Sequence, residues 1–252
     1  MANEVIKACI DRLLPDHLRI FAAQNAMKEN PDNAPATTSG LSIEEIAVFT
    51  NNLWQPGRFL RVSFLDGDPA VQAKVQQYAQ QWSQYTNIQF VFGTFDNAVI
   101  RISFKQSGSW SYIGTDCLSI AQDQPTMNYG WLTPTTADDE YSRVVMHEFG
   151  HALGCIHEHQ NPKAGIPWNT DAVYRYYEGP PNNWSKAEVD NNLLQKYGQD
   201  QTQFTAWDPT SIMEYPIPKE LTTGGFEVGW NKVLSATDIA FMGTLYPFAT
   251  KG

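Results

Sequence analysis

The chain contains no apolar run approaching the ~18 residues that a membrane-spanning helix requires, which excludes an integral protein that crosses a bilayer by helices. Cysteine is scarce as well. Cys9, Cys117 and Cys155 are the only three in 252 residues. They are too few, and odd in number, for a disulfide framework, so at most one bridge can form and the fold must rest on a hydrophobic core. Positive charge is also short: 17 Lys and Arg against 27 Asp and Glu leave a net charge of −10. Such a surface repels phosphates, which argues against a nucleic-acid partner. Residues 1–20 hold Glu4, Lys7, Asp11, Arg12 and Asp16 and no apolar stretch, so no classical secretory leader is visible. No internal repeat or low-complexity tract interrupts the chain.

Histidine, by contrast, is concentrated. Four of the five histidines fall between positions 147 and 159, in the run His147-Glu148-Phe149-Gly150-His151-Ala152-Leu153-Gly154-Cys155-Ile156-His157-Glu158-His159. His147 and His151 are four residues apart and share one face of a helix. Gly154 can adopt the left-handed conformation that ends a helix, so the chain can turn back and deliver His157 as a third ligand. Three protein ligands leave one coordination position open, the mark of a catalytic rather than a structural zinc site. Glu148, beside the first histidine, is placed to act as a general base without itself binding the metal. Cys155 reads as a small buried side chain. His159 reads as a solvated residue or as one that supports a ligand from behind.

Around this motif the pattern is that of an α+β protein with a separate amino-terminal segment, residues 1–50. Within that segment helical character over 6–26, an extended connector over 29–40 and a short helix over 42–51 are expected. Strands are expected over 58–65, 88–92 and 98–104, with shorter ones at 116–121 and 127–132. Asp68 and Pro69 open a helix whose apolar stripe is Val71, Val75, Tyr78 and Trp82. The histidine helix is expected over 141–153, started by a capping box of Thr136 and Asp139. Further helices are expected over 171–177, over 185–197 with a Ser185/Glu188 capping box, and from Ser235/Asp238 to Tyr246.

Downstream stands Ser211-Ile212-Met213-Glu214-Tyr215. With this methionine turn the extended histidine motif resembles the metzincin metallopeptidases. Ala152 after the second histidine, Glu158 directly after the third and Tyr215 two residues past Met213 make it most similar to the astacins, as does the stretch 108–114 (GSWSYIG). The serralysins, which share the Ser-x-Met-x-Tyr turn, are the nearest rival. The matrixins, which lack the tyrosine, stand further off. The resemblance covers roughly residues 50 to 250. It implies a two-lobe catalytic domain over 51–252, with a mixed twisted five-stranded sheet and the active-site helix in an upper lobe reaching about residue 154. An irregular lower lobe over 155–252 would follow, with the substrate cleft between the lobes.

The resemblance further implies one zinc ion held by His147, His151 and His157, with Tyr215 as a fifth ligand that swings away to hydrogen-bond the oxyanion. Met213 would pack beneath the histidines, and 116–121 would be the edge strand against which substrate is laid. Secretion is implied too, although cytoplasmic residence or non-classical export stays open. Two departures from the astacins stand out. Ser109 occupies a position where a cysteine is expected. Glu158, which in astacins holds the new amino terminus after a pro-segment is removed, is here accompanied by about 50 residues preceding the domain.

The expected function is a zinc-dependent endopeptidase acting on protein or peptide substrates, with Glu148 and Tyr215 as catalytic residues. The alternatives are a zinc-containing binding or toxin module whose proteolysis is latent or lost, and a zinc hydrolase of non-peptide amides. The amino-terminal segment is either a packed structural extension or a cap that reaches the metal through Cys9 or Asp32.

Overall fold

The computed structural model describes residues 50–180, 182–196 and 206–249 and, in the amino-terminal segment, residues 7, 9–10, 12–36, 39–40, 42–43 and 47. The sheet is mixed and five-stranded. β1 (Phe59–Phe64), β2 (Gln89–Phe92), β3 (Ile100–Ser103), β4 (Ser109–Ser111) and β5 (Met127–Tyr129) lie in the order β2-β1-β3-β5-β4. Every pairing is parallel except that of β4 with β5, which is antiparallel and places β4 at one edge of the sheet.

Two helices pack together and against this sheet. α2 (Pro69–Ala79) starts as its sequence demands, with Asp68 accepting from the amide of Ala70 and Pro69 in the first turn. Its buried stripe is Val71, Val75 and Ala79, and Trp82 is buried just beyond its end. α3 (Asp138–Ala152) is buried at every position from Tyr141 to Ala152, so it is an interior element rather than a surface helix. Aromatic residues fix its height in the core. The Trp82 indole donates to the Met146 carbonyl at 2.9 Å, the Trp54 indole donates to Ala152 at 2.8 Å, and Phe149 meets Phe90 edge to face at 4.8 Å.

Several local expectations are corrected. α3 is not opened by a Thr136/Asp139 box: its cap position is Ala137, and the Thr136 hydroxyl accepts from the Thr133 amide instead. Its first turn carries Asp138, Asp139 and Glu140, carboxylates that suit the positive end of the helix dipole. Residues 116–121 are not a strand. Gly114–Ser119 is a 3-10 turn, and the carbonyls of Ile120 and Ala121 accept from the buried guanidinium of Arg101 at 2.9 and 3.0 Å, which removes them from any ladder.

The helix expected over 185–197 is shorter than its pattern suggested. After Lys186–Val189, begun by the expected Ser185/Glu188 box, Asp190–Leu194 widens into a π turn, and residue 197 lies outside the described residues. The terminal helix Ala236–Leu245 begins, as expected, with a Ser235/Asp238 capping box. In the amino-terminal segment α1 (Arg19–Glu29) replaces the helix expected over 6–26, and Cys9 lies in an isolated β-bridge. Of the helix expected over 42–51, residues 44–46, 48 and 49 lie outside the described residues. The three cysteines are free.

Candidate metal centre and active site

α3 supplies His147 and His151 one turn apart. It ends where Gly154 takes a φ of +98°, and Cys155 then donates from its amide back to Gly150 at 3.0 Å. That turn reverses the chain and brings His157 onto the other two. The three Nε2 atoms lie 3.1, 3.2 and 3.2 Å apart.

The opposite ring nitrogens explain how they are aimed. His147 Nδ1 donates to the Ile212 carbonyl at 2.8 Å and His151 Nδ1 to that of Cys155 at 2.9 Å, so each Nε2 is the nitrogen that carries the lone pair. Burial and the neighbouring imidazoles push the His147 and His157 pKa values well below the usual range, which keeps both rings neutral. Neutral imidazoles with converging lone pairs repel one another unless a cation lies among them. The ~3.3 Å nitrogen spacing of a tetrahedral site with Zn–N of ~2.0–2.1 Å is close to what these rings show. Among the described residues they form a group fit to hold a metal ion.

The methionine turn closes the site from below. The Ile212 carbonyl receives His147, and the Met213 carbonyl accepts from the amide of Glu158, directly after the third ligand, at 3.0 Å. The turn is tied in place from the terminal helix. Asp238 accepts from Ser211 Oγ at 2.6 Å and from the Ile212 amide at 2.8 Å. Nothing local in the sequence marks Asp238 for this task beyond its capping box.

Glu148 is fully buried. It faces Cys9, whose thiol pKa is pushed up by burial first and then by the Glu148 charge and a hydrogen bond to it. Tyr215 is buried too, and its hydroxyl donates to the main-chain carbonyl of Cys9. Cys9 itself forms a parallel bridge with Ser109 of β4, and the amide of Ile10 donates to the Ser109 carbonyl at 2.9 Å. The edge along which an extended chain lies is therefore β4, not residues 116–121. Asp32 is exposed in the turn Pro31–Asn33.

His159 is not solvated. Its ring stacks on His157 at 5.2 Å and packs at a tilt against Tyr215 at 4.6 Å, and its Nε2 donates to the Asn192 carbonyl at 2.7 Å. Glu158 accepts from the Asp208 amide at 2.9 Å and from Asn161 at 3.1 Å, and burial raises its pKa to about 7. It borders a cavity of about 440 Å³ that is also lined by Asp208, Asp238 and Arg19 of α1. Ser109 is buried, and Cys9, the cysteine bridged to it through the main chain, is free.

Comparison with known proteins agrees with this geometry. The astacin peptidase family is matched over residues 50–246. The structure of myroilysin superposes with a TM-score of 0.77 and is 52% identical, covering 79% of this chain and 97% of that one. High choriolytic enzyme 1, a hatching enzyme zinc-protease from the medaka fish Oryzias latipes, shares the fold with a TM-score of 0.55 at 19% identity, covering 77% of this chain and 94% of that one. Zinc metalloproteinase nas-23 of Caenorhabditis elegans is 24% identical over 212 residues, 83% of this chain, and the chain spans only 35% of that relative's length.

Proposed function

This chain belongs to the astacin family of peptidases, and on that footing we propose that it is a zinc-dependent endopeptidase acting on proteins or peptides. The observation that carries the reading is the convergence of three Nε2 atoms to within 3.1–3.2 Å of one another beneath a cleft that also holds a fully buried glutamate. When bound there, zinc supplies a Lewis acid that polarises the scissile carbonyl and makes water nucleophilic near neutral pH. Glu148 is the general base. It removes a proton from the attacking water and passes it to the leaving amine.

Tyr215 hydrogen-bonds the carbonyl oxygen as it becomes negative. Its contact with the carbonyl of Cys9 supports this role, because the acceptor there is the same chemical group that a substrate presents. Met213 holds the loop that carries the third histidine through its own carbonyl.

The amino-terminal segment belongs to the same proposal: it restrains the enzyme. Cys9 engages the base with its thiol and Tyr215 with its carbonyl, so one residue covers both catalytic groups. Removing the segment would free them. The resulting amino terminus would then find Glu158 at the wall of the adjoining cavity, as the family resemblance implies. Export from the cell is proposed on the same resemblance. Among the described residues no helix is long and apolar enough to cross a membrane.

The test is incubation of the zinc-loaded protein, before and after limited proteolysis of the segment, with casein and a peptide library. A chelator arm and the Glu148→Gln variant run alongside. Cleavage that a chelator abolishes and that Glu148→Gln lacks, while still holding zinc, is the expected result. Turnover by zinc-loaded Glu148→Gln would refute the base assignment, and no chelator-sensitive cleavage in any arm would refute the endopeptidase reading.

A further inference from the structure

Residues 7, 9 and 10 show how the site grips a chain laid against β4. One edge of that chain meets β4, where the Ile10 amide donates to Ser109. On the opposite edge two carbonyls are held: that of Cys9 by the Tyr215 hydroxyl, and that of Lys7 by Nη2 of Arg143 at 3.5 Å. In an extended chain, residues two apart project the same way and lie about 7 Å apart, whichever direction the chain runs. A substrate of either polarity therefore offers the same pair of acceptors.

Arg143 is built as a fixed donor. It precedes His147 by four residues and so lies on the same face of α3, one turn before the first metal ligand. Its guanidinium is gripped by Glu140, with Nε to Oε2 and Nη2 to Oε1 both at 2.7 Å. Glu140 is itself fixed by the Trp131 indole at 2.8 Å, and Trp230 covers the guanidinium at 4.4 Å. The residue is only 7% exposed. A fork held this firmly loses little freedom when it binds a ligand. Its charge is already matched by Glu140, which suits a neutral main-chain carbonyl better than a second carboxylate.

We infer that Arg143 is a substrate-binding residue that donates to the main-chain carbonyl two residues from the scissile one. Tyr215 and Arg143 thus read alternate carbonyls on one edge of the substrate while β4 reads the other. The inference rests on the endopeptidase reading. It makes binding at that position depend on the peptide backbone and tolerant of the side chain.

The experiment takes a peptide that the zinc-loaded chain cleaves once its segment has been nicked. Two analogues are made in which an alkene isostere replaces the amide whose carbonyl lies two residues before, or two residues after, the scissile carbonyl. For the wild type, one of the two raises KM about tenfold with kcat little changed, as expected for a lost hydrogen bond to a charged group in the ground state. Arg143→Leu shows the raised KM on the all-amide peptide and no further rise with that isostere. Arg143→Lys, which keeps the charge and the stem, serves as the second variant and loses most of the discrimination. Indifference of the wild type to both isosteres would overturn the inference, as would full sensitivity retained in the folded variants. A tenfold response to exchanging Glu for Lys at that position, in place of a response to the isostere, would overturn it too. No cleavage of any peptide would overturn the endopeptidase reading and this inference with it.

Discussion

The β-carbon that Gly150 lacks would lie 2.4 Å from the sulfur of Met213. Gly150 sits between two of the metal-site histidines, and the methionine turn presses directly on the helix at that point. The same turn gives its carbonyls to His147 and to Glu158, so the contact sets the distance between α3 and the loop that delivers His157.

Gly150→Ala should therefore be destabilising even though alanine is the better helix former. Overpacking of about 1–3 kcal/mol outweighs a propensity gain of at most ~1 kcal/mol. Thermal unfolding should show a lower Tm, and zinc competition should show weaker retention. An unchanged Tm would mean that the turn yields without strain.

Tyr215→Phe removes a hydroxyl and leaves the ring packed at a tilt against His157 and His159. kcat/KM on a peptide should fall by about 10²-fold, the usual loss for one oxyanion donor, with zinc affinity nearly unchanged. Steady-state kinetics beside a metal titration would decide the matter. Wild-type kcat/KM would remove Tyr215 from the mechanism.

If Cys9 restrains the site, the full-length protein should be less active than protein whose segment has been cut, and Cys9→Ala should narrow the gap. The thiol should also react slowly with alkylating reagents until the segment is released, because it is 1% exposed. Equal activity of intact and cut protein would make residues 1–50 a structural extension only.

Asp238→Ala strips the methionine turn of its anchor and leaves the Ser211 hydroxyl and the Ile212 amide without their acceptor. Unsatisfied buried donors of this kind cost ~1–3 kcal/mol each, so a loss of about 3 kcal/mol is expected in denaturant unfolding. Zinc retention should fall with it, since Ile212 orients His147.

Burial raises the carboxyl of Asp116 to about 7, against a smaller opposing effect of Arg19. The sign follows from proton linkage. The folded protein holds this proton at pH values where the unfolded chain, with its carboxyl near ~4, has released it. Stability relative to Asp116→Asn should be greatest below pH ~4, fall as pH rises from ~4 to about 7, and be flat above. Unfolding free energies of the two proteins measured at acid, intermediate and neutral pH would show the slope, and a constant difference would contradict it.

What the sequence determined by itself is local. The four-residue spacing of His147 and His151, the left-handed Gly154, the Asp68 cap and the boxes at Ser185 and Ser235 all act between residues a few positions apart, and each took the form its chemistry requires. The metal chemistry was legible for that reason. Where a local signal was outvoted, a distant partner was responsible: Arg101 takes the carbonyls that would have made a strand near residue 120. Other features had no local signal at all. Cys9 meets Tyr215 across 206 positions, Asp238 holds Ile212 across 26, and Arg143 reaches Lys7 across 136. Only tertiary packing decides which carbonyl arrives at which donor, because buried polar groups must find partners wherever the folded core brings them. The histidines thus specify what the site can do, and the fold decides what stands in its cleft and how that chain is held.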